Sequence, residues 1–418
     1  MCLSIGSWNA SQQSLQPLLL MRVLLRMLDR EFSEGRLSGV ETSLSDLTLI
    51  HVMYVDDIVL FTKADNRETK RLNECLDLYC SQSGQAINRA KSGIAFSKAT
   101  TKPAMRSVKQ VLQMKKLQQD AKYLGALMFL SRAPSKDFNF LQEKLEIKLR
   151  GWRSKCLSWA GRCTLIKIVA QAIPSHTMST FEVPSKTYDK LDYLVIRFWW
   201  CPSKSNRRYM VAKSWKNLCK HKKEGGLGFR KSKEFNYTLL SKIAWMIASG
   251  RDSVCMSLLR SKYKVRIDWL RQPPSKKTSP IWKAIENAKK YLQPDAYYAV
   301  GDESIEAICK IMVPMRPTAD KLIWVKDTKG RFSVKSVYQA NQESSLNPNM
   351  GGLWQRLWRS KPHERSKIFL WRIGTKALPT KEMLANKMEI QDKMCYLCGH
   401  EEESDTHLFF KCSTARAI

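Results

Sequence analysis

The sequence predicts an α+β chain whose strands gather near the N-terminus and whose remainder is helical. Three observations predict it. Two short β-like runs, VMYV and IVLF, are joined through Asp56-Asp57. From about residue 100, apolar residues recur at helical spacing inside long basic segments. Near the C-terminus, CYLCGHEEESDTHLFFKC sets three cysteines and a histidine at metal-ligand spacing in a small α-rich lobe.

The 418 residues give room for two or three domains with real cores. Lys+Arg number 71 against 38 Asp+Glu, a net charge of +33. So one-signed a charge points to a polyanion, with nucleic acid the first candidate; a solvated basic surface is the other reading. The 12 cysteines are scattered from Cys2 to Cys412. The apolar stretch LQPLLLMRVLLRMLDR (15–30) is broken by Arg22 and Arg26, which suits an amphipathic helix and not a secretory leader. No uncharged run approaches the roughly 20 residues of a membrane span. The expectation is an intracellular, non-secreted protein with no membrane partner and mostly free, buried thiols.

Residues 15–37 read as one helix, with Pro17 in its first turn and Gly35 at its end. EFSEGRLSGVETS (31–43) links it to the hairpin. Residues 66–83 carry Leu72, Cys75, Leu76 and Tyr79 on one helical face, with Asn66 as N-cap and Gly84 as stop. SGIAFSKA (92–99) reads as a strand. Residues 138–174 read as a long basic helix, in which Glu146 alone opposes seven Lys/Arg between 144 and 167. Residues 189–200 form another helix, ending before Pro202. Residues 201–231 hold ten Lys/Arg (Lys204, Arg207, Arg208, Lys213, Lys216, Lys220, Lys222, Lys223, Arg230, Lys231) and only Glu224 as an acid. Tyr209, Trp215 and Phe229 lie among them. Such a pattern either neutralises phosphates and stacks on bases, or turns its aromatics to the core. RQPPSKKTSP (271–280) reads as a linker or exposed loop, and NQESSLNPNMGG (341–352) is a second polar stretch.

Adjacent aspartates are common in turns. Here the flanks Val52–Val55 and Ile58–Phe61 are nearly all apolar, so the carboxylates need a cation or raised pKa values. Mg²⁺ takes carboxylate oxygens and leaves places for phosphates, and two such ions support phosphoryl transfer.

Tyr54-Val55-Asp56-Asp57 resembles the Y/F-x-D-D box of reverse transcriptases. SGQAINRAKSGIAFSK (83–98), KYLGALMF (122–129), GWRSKCLSWAGRCTLIKIVAQAIPSHTMSTF (151–181), FWW (198–200) and GGLGFR (225–230) follow in the order of the plant non-long-terminal-repeat (LINE-type) retrotransposon enzymes. Residues 251–320 add little. The resemblance implies an RNA-directed DNA polymerase acting on RNA and DNA as template and primer, with Asp56 and Asp57 as catalytic Mg²⁺ ligands and Tyr54 beside the primer end. A nuclear or cytoplasmic location is expected from it. The family also uses a third carboxylate on an earlier palm strand, ahead of a Q-G-D-P-L-S-P loop. SLQPLLL (14–20) resembles a remnant of that loop, and MCLSIGSWNASQQ before it holds no acid. The expectation is a truncated polypeptide, lacking fingers and the first palm aspartate, that binds nucleic acid without polymerising. The alternative is a non-catalytic nucleic-acid-binding zinc protein derived from the element.

In the C-terminal cluster, Cys395 and Cys398 form C-x₂-C, eight residues separate Cys398 from His407, and four separate His407 from Cys412. Three thiolates and an imidazole suit a closed, tetrahedral, structural Zn²⁺ site. His400 is the rival ligand, but only Gly399 lies between it and Cys398, so His407 fits better. Free thiols are the other reading. GRFSVKSVY (330–338), WQRLW (354–358), KIFLWR (367–372) and ALPT (377–380) resemble the reverse-transcriptase zinc-binding domain. There the Trp and Phe positions are expected in the core, while Lys367 and Arg372 either meet nucleic acid or are solvated. The expected organisation is a partial palm (1–98), a helical basic thumb and connector (99–330), and the zinc lobe (331–418).

Overall fold

A computed structural model describes residues 2–5, 16–41, 48–55, 57–131, 133–153, 155–201, 209–275, 278–299, 321–343 and 351–417. Asp56 lies outside the described residues, as do Lys204, Arg207 and Arg208 of the basic run, residues 6–15, and parts of the polar stretches 271–280 and 341–352. The chain divides into two compact units. One comprises Met1–Arg132 with Met246–Trp269; the other comprises Ala133–Trp245 with Leu270–Ile418.

The first unit opens with strand β1 (Cys2–Ile5) and helix α1 (Gln16–Ser33). Met21, Leu24 and Leu28 of α1 are buried and Arg22 and Arg26 are exposed, so the arginines lie on the wet face of an amphipathic helix. Strands β2 (Val40–Glu41) and β3 (Thr48–Leu49) form a two-residue ladder. Strands β4 (His51–Tyr54) and β5 (Asp57–Phe61) form the hairpin. Helix α2 (Asn66–Ser83) buries Leu72, Cys75, Leu76 and Tyr79, as the spacing predicts. Its cap is Asp65, one residue before the expected Asn66. Asp65 has extended backbone, and its carboxylate accepts from the amides of Arg67 (3.0 Å) and Glu68 (3.4 Å). Gly84 closes the helix at φ +67°, a conformation glycine adopts without a Cβ penalty.

Strand β6 (Gly93–Ala95), helix α3 (Lys102–Leu112) and strand β7 (Lys115–Lys116) follow. The sheet order is β4-β5-β1-β6-β7, so β1 is central and antiparallel to both neighbours. α1, α2, α3 and the sheet share one core of Leu24, Leu28, Ile58, Leu60, Leu76, Ile94 and Leu112, among others. Each such side chain contributes about 1.5–3 kcal/mol on burial. One polar group is built into this core's edge. Glu31 of α1 accepts from Arg36 (2.7 and 3.0 Å) and from Arg71 of α2 (2.6 and 3.0 Å). Hydrogen bonds from Arg36 first, then Arg71, hold its carboxyl down to about 2. Strands β8 (Lys122–Tyr123) and β9 (Ala126–Leu127) complete the segment.

In the second unit, helices α4 (Pro134–Asp137) and α5 (Asn139–Arg153) lead to α6 (Trp159–Leu165), a π-helical turn (Ile166–Ala170) and α7 (Ser175–Met178). The expected single helix 138–174 is therefore broken. Ser158 has extended backbone and caps a new helix by accepting from the Gly161 amide at 3.2 Å, and a residue in that conformation cannot continue the helix before it. Leu141, Leu145 and Leu149 of α5 are buried at the i, i+4 spacing.

Helix α8 (Ser185–Trp200) starts earlier than expected, right after Pro184, and delivers Phe198, Trp199 and Trp200 to the core. Helices α9 (Trp215–Cys219), α10 (Ser232–Ala248), α11 (Val254–Lys262, within the first unit) and α12 (Pro280–Ala288) follow. Strands β10 (Ala296–Ala299) and β11 (Lys321–Trp324) pair antiparallel. The C-terminal helices are α13 (Val334–Glu343), α14 (Gly351–Arg359), α15 (Glu364–Gly374), α16 (Lys381–Ala385) and α17 (Ser413–Ala417).

An aromatic cluster organises this unit. Trp199 makes edge contacts with Trp159 (4.9 Å), Phe229 (5.5 Å) and Trp371 of α15 (6.4 Å). The GGLGF turn allows this approach. A Cβ on Gly226 would stand 2.0 Å from the Lys220 carbonyl oxygen, so only glycine fits. The Gly225 carbonyl accepts from the Trp371 indole at 2.8 Å. Asn236 is buried and fully partnered, its amide donating to the Met178 and Phe181 carbonyls and its oxygen accepting from the Val183 amide and the Tyr188 hydroxyl.

Candidate metal centre

The centre is built from two hooks. The first is a knuckle in which the Gly399 amide donates to the Cys395 carbonyl at 2.8 Å, with Gly399 at φ +68°. This tight turn aims the amides of His400 and Glu401 at the Cys398 sulfur. Those two donors, His400 first, pull its thiol down to about 6, within reach of the thiolate a metal needs. The second hook is a π-helical turn, His407–Lys411, that ends at Cys412, whose amide donates to the His407 carbonyl at 2.8 Å. The extra residue in this wider turn lets His-x₄-Cys present both ligands from one local structure.

The hooks are locked together by backbone. The Cys395 amide donates to the Glu401 carbonyl at 2.7 Å, and Met394 bridges to Glu402. Helix α16 is tied to the same loop, because the Glu382 amide donates to the Glu403 carbonyl at 3.0 Å. The ligand atoms of Cys395, Cys398, His407 and Cys412 all lie within 4.8 Å of one another. A tetrahedral Zn²⁺ sets its sulfurs about 3.8 Å apart and sulfur from nitrogen about 3.5 Å. Cys395 Sγ and Cys412 Sγ are 4.0 Å apart; Cys398 Sγ and His407 Nε2 are 3.2 Å apart. The residues fit the ion. Cys395, His407 and Cys412 are buried, and Cys398 is half-buried. Burial opposes charge on the His407 ring, yet the sulfurs of Cys398 and Cys395 and the Glu401 carboxylate raise its pKa overall. At Cys412 the Ala415 amide favours the thiolate, but burial and the two neighbouring sulfurs push the thiol up. Crowded thiols that resist ionising together are what a divalent cation relieves.

Glu401 is the residue the sequence reading missed. Its Oε2 lies 2.9 Å from His407 Nδ1, which leaves Nε2 directed at the ligand set. The signal was present in the HEEESDTH loop, but three consecutive glutamates offer no way to choose among them. Among the described residues, this is the one cluster of three or more Cys, His, Asp or Glu side chains whose ligand atoms converge. His400 is not part of it.

At the hairpin, Asp57 is the first residue of β5 and pairs in register with Tyr54. Asp57 is thus a strand residue and not part of the connection between the two strands. Val55 takes φ +53°, a costly conformation for a β-branched residue and one that tends to persist where function needs it. Tyr54 is exposed, and the Tyr123 hydroxyl donates to the Asp57 carbonyl at 3.4 Å. The strand beside the hairpin, β1, carries Cys, Leu, Ser and Ile opposite residues 58–61 and no acid. In the basic run, Phe229 is turned to the core and stacks on Trp215 at 5.8 Å. Lys367 pairs with Glu364 at 3.0 Å, and the Arg372 guanidinium lies 4.4 Å from the centre of the Trp159 ring.

Comparison with known proteins agrees with this geometry. A family model described as zinc-binding in reverse transcriptase matches residues 332–418, so the four-ligand lobe defines a reverse-transcriptase zinc-binding domain with Zn²⁺ as its metal. An Arabidopsis thaliana protein provisionally named a ribonuclease H protein is 26% identical over 69% of this chain; the chain spans 56% of that relative's length. An uncharacterized mitochondrial protein of the same plant is 31% identical over 31% of this chain and 85% of its own length. The chain belongs to the plant retrotransposon proteins related to reverse transcriptase. Among the described residues, no helix is long and apolar enough to cross a membrane.

Proposed function

We propose that this chain is a nucleic-acid-binding part of a LINE-type retrotransposon reverse transcriptase, with a partial palm at 1–98, a thumb and connector at 99–330, and the zinc lobe at 331–418. The observation that carries the reading is the outer face of the metal centre. Tyr396 is 88% exposed between two ligands, Phe410 is 68% exposed two residues before Cys412, and exposed Lys393 and Lys411 flank them. Large aromatic rings exposed to water, with basic residues close by in sequence, favour unpaired bases and their phosphates. The net charge of +33 supports the same partner. Zn²⁺ held by Cys395, Cys398, His407 and Cys412 would supply structure here, and the chain's own rings and ammonium groups would make the contacts.

Polymerisation is a separate matter. Asp56 and Asp57 would hold one Mg²⁺ between them, and the apolar and hydroxyl residues of β1 add no carboxylate beside the hairpin. We therefore propose binding without primer extension by this polypeptide. The experiment is Mg²⁺-dependent extension of a primer on an RNA template, run beside fluorescence anisotropy with the same strands. Salt-sensitive binding with no extension is expected. Extension that disappears in Asp57→Asn would overturn the inactive assignment, and absence of binding at low salt would overturn the reading itself.

A further inference from the structure

In the second unit, a cavity of about 730 Å³ lies between the π-helical turn 166–170, the 222–231 segment and helix α13. This volume suits a small ligand. Among the described residues its lining includes Lys167, Lys222, Arg230 and Lys335 and no carboxylate. These four cations come from three segments of the chain, and none is in an ion pair among the described residues. Of the neighbouring carboxylates, Glu364 is hydrogen-bonded to Lys367 at 3.0 Å and reaches Lys167 and Lys222 only through its longer-range field, while Glu234 pairs with Lys231 at 2.7 Å. Three of the cations are seated on aromatic faces, Lys167 among them with its Nζ 5.9 Å from the Phe229 ring centre. The Arg230 guanidinium is 4.8 Å from the Phe235 ring centre, and Lys222 Nζ is 4.3 Å from that of Trp358. That seating fixes their direction while leaving N–H donors unspent.

Like charges gathered around one cavity repel, and burial pushes the Lys167 ammonium down. An anion in the cavity relieves both costs. Phe229 and Tyr338 give it an apolar wall. Lys167 rides on a π-helical turn, a rare element that is frequent at functional sites. The second such turn among the described residues carries His407 of the metal centre.

We infer that this cavity is a phosphate-binding pocket for a nucleotide-class ligand, with Lys222, Arg230 and Lys335 holding the phosphate oxygens against the aromatic wall. It goes beyond the zinc lobe and does not depend on Tyr396 or Phe410.

The test uses the full zinc-loaded chain and two probes: inorganic pyrophosphate by calorimetry, and a 5′-phosphorylated single-stranded oligonucleotide by anisotropy. The double variant Arg230→Gln/Lys335→Gln is compared with Lys144→Gln/Lys148→Gln, which alters two exposed lysines on α5. Circular dichroism verifies that both variants fold; if the first does not, Lys335→Gln alone replaces it. Pyrophosphate affinity is expected to fall about tenfold or more in the pocket variant and to be unchanged in the control. Pyrophosphate that displaces the oligonucleotide identifies a strand phosphate as the natural occupant; pyrophosphate that binds without displacing it identifies a free nucleotide. Pyrophosphate binding with no oligonucleotide binding removes the nucleic-acid reading and leaves the pocket standing. No pyrophosphate binding, or equal binding by both variants, overturns the pocket.

Discussion

Replacing Glu401 with Gln tests whether the metal centre works as its geometry implies. The carboxylate contacts His407 Nδ1 at 2.9 Å and so holds the tautomer that aims Nε2 at the ion. Loss of such an outer partner costs about 10- to 100-fold in metal affinity. Glu401 has a side chain 63% exposed, so water screens much of its field. The expected loss is therefore near the lower end, about tenfold, or about 1.4 kcal/mol. Zinc affinity would be measured by competition with a chromogenic chelator at pH 7, using the intact chain. His407→Ala, which removes a ligand outright, should lose far more than Glu401→Gln. His400→Gln should match the parent. Equal affinity in His407→Ala and the parent would refute the assignment, and so would a large loss in His400→Gln.

Three further outcomes are expected. Glu31→Gln removes a carboxylate whose folded pKa is depressed by Arg36 and Arg71. Because the shift is downward, its stabilisation is full above the unfolded value near 4.5 and is lost as pH falls toward about 2; amide hydrogen exchange in α1 and α2 should show this loss in the parent and not in the variant. Trp199→Ala should destabilise the second unit by about 3–5 kcal/mol, read as a lower urea midpoint of tryptophan fluorescence, because it empties the centre of the aromatic cluster. Tyr396→Ala and Phe410→Ala should each weaken single-stranded binding by about 1–3 kcal/mol with zinc content unchanged, measured by anisotropy and metal analysis; unaltered affinity in both would remove the stacking face.

Much of the local structure was legible in the sequence. The buried face of α2 follows from helical spacing, because 3.6 residues per turn brings Leu72, Cys75, Leu76 and Tyr79 onto one side. The four metal ligands follow from spacing and chemistry, since few arrangements of three thiols and an imidazole close around one ion. The hairpin follows from two apolar runs, though Asp57 belongs to its second strand and not to the connection.

What the sequence left open depends on contacts between residues far apart in the chain. The break in 138–174 is local, but the helical periodicity on either side of Ser158 conceals it. Phe229 could have faced water or core; its packing against Trp199 and Trp215 decided for core. Glu401 became the histidine's partner because the knuckle brought its carboxylate to His407 Nδ1, a matter of three-dimensional path and not of composition. Residue type and spacing thus determined which groups could bind a metal and which faces would be buried. Only tertiary structure decided which cations gather around one cavity, because Lys167, Lys222, Arg230 and Lys335 share no period and meet only when their segments pack.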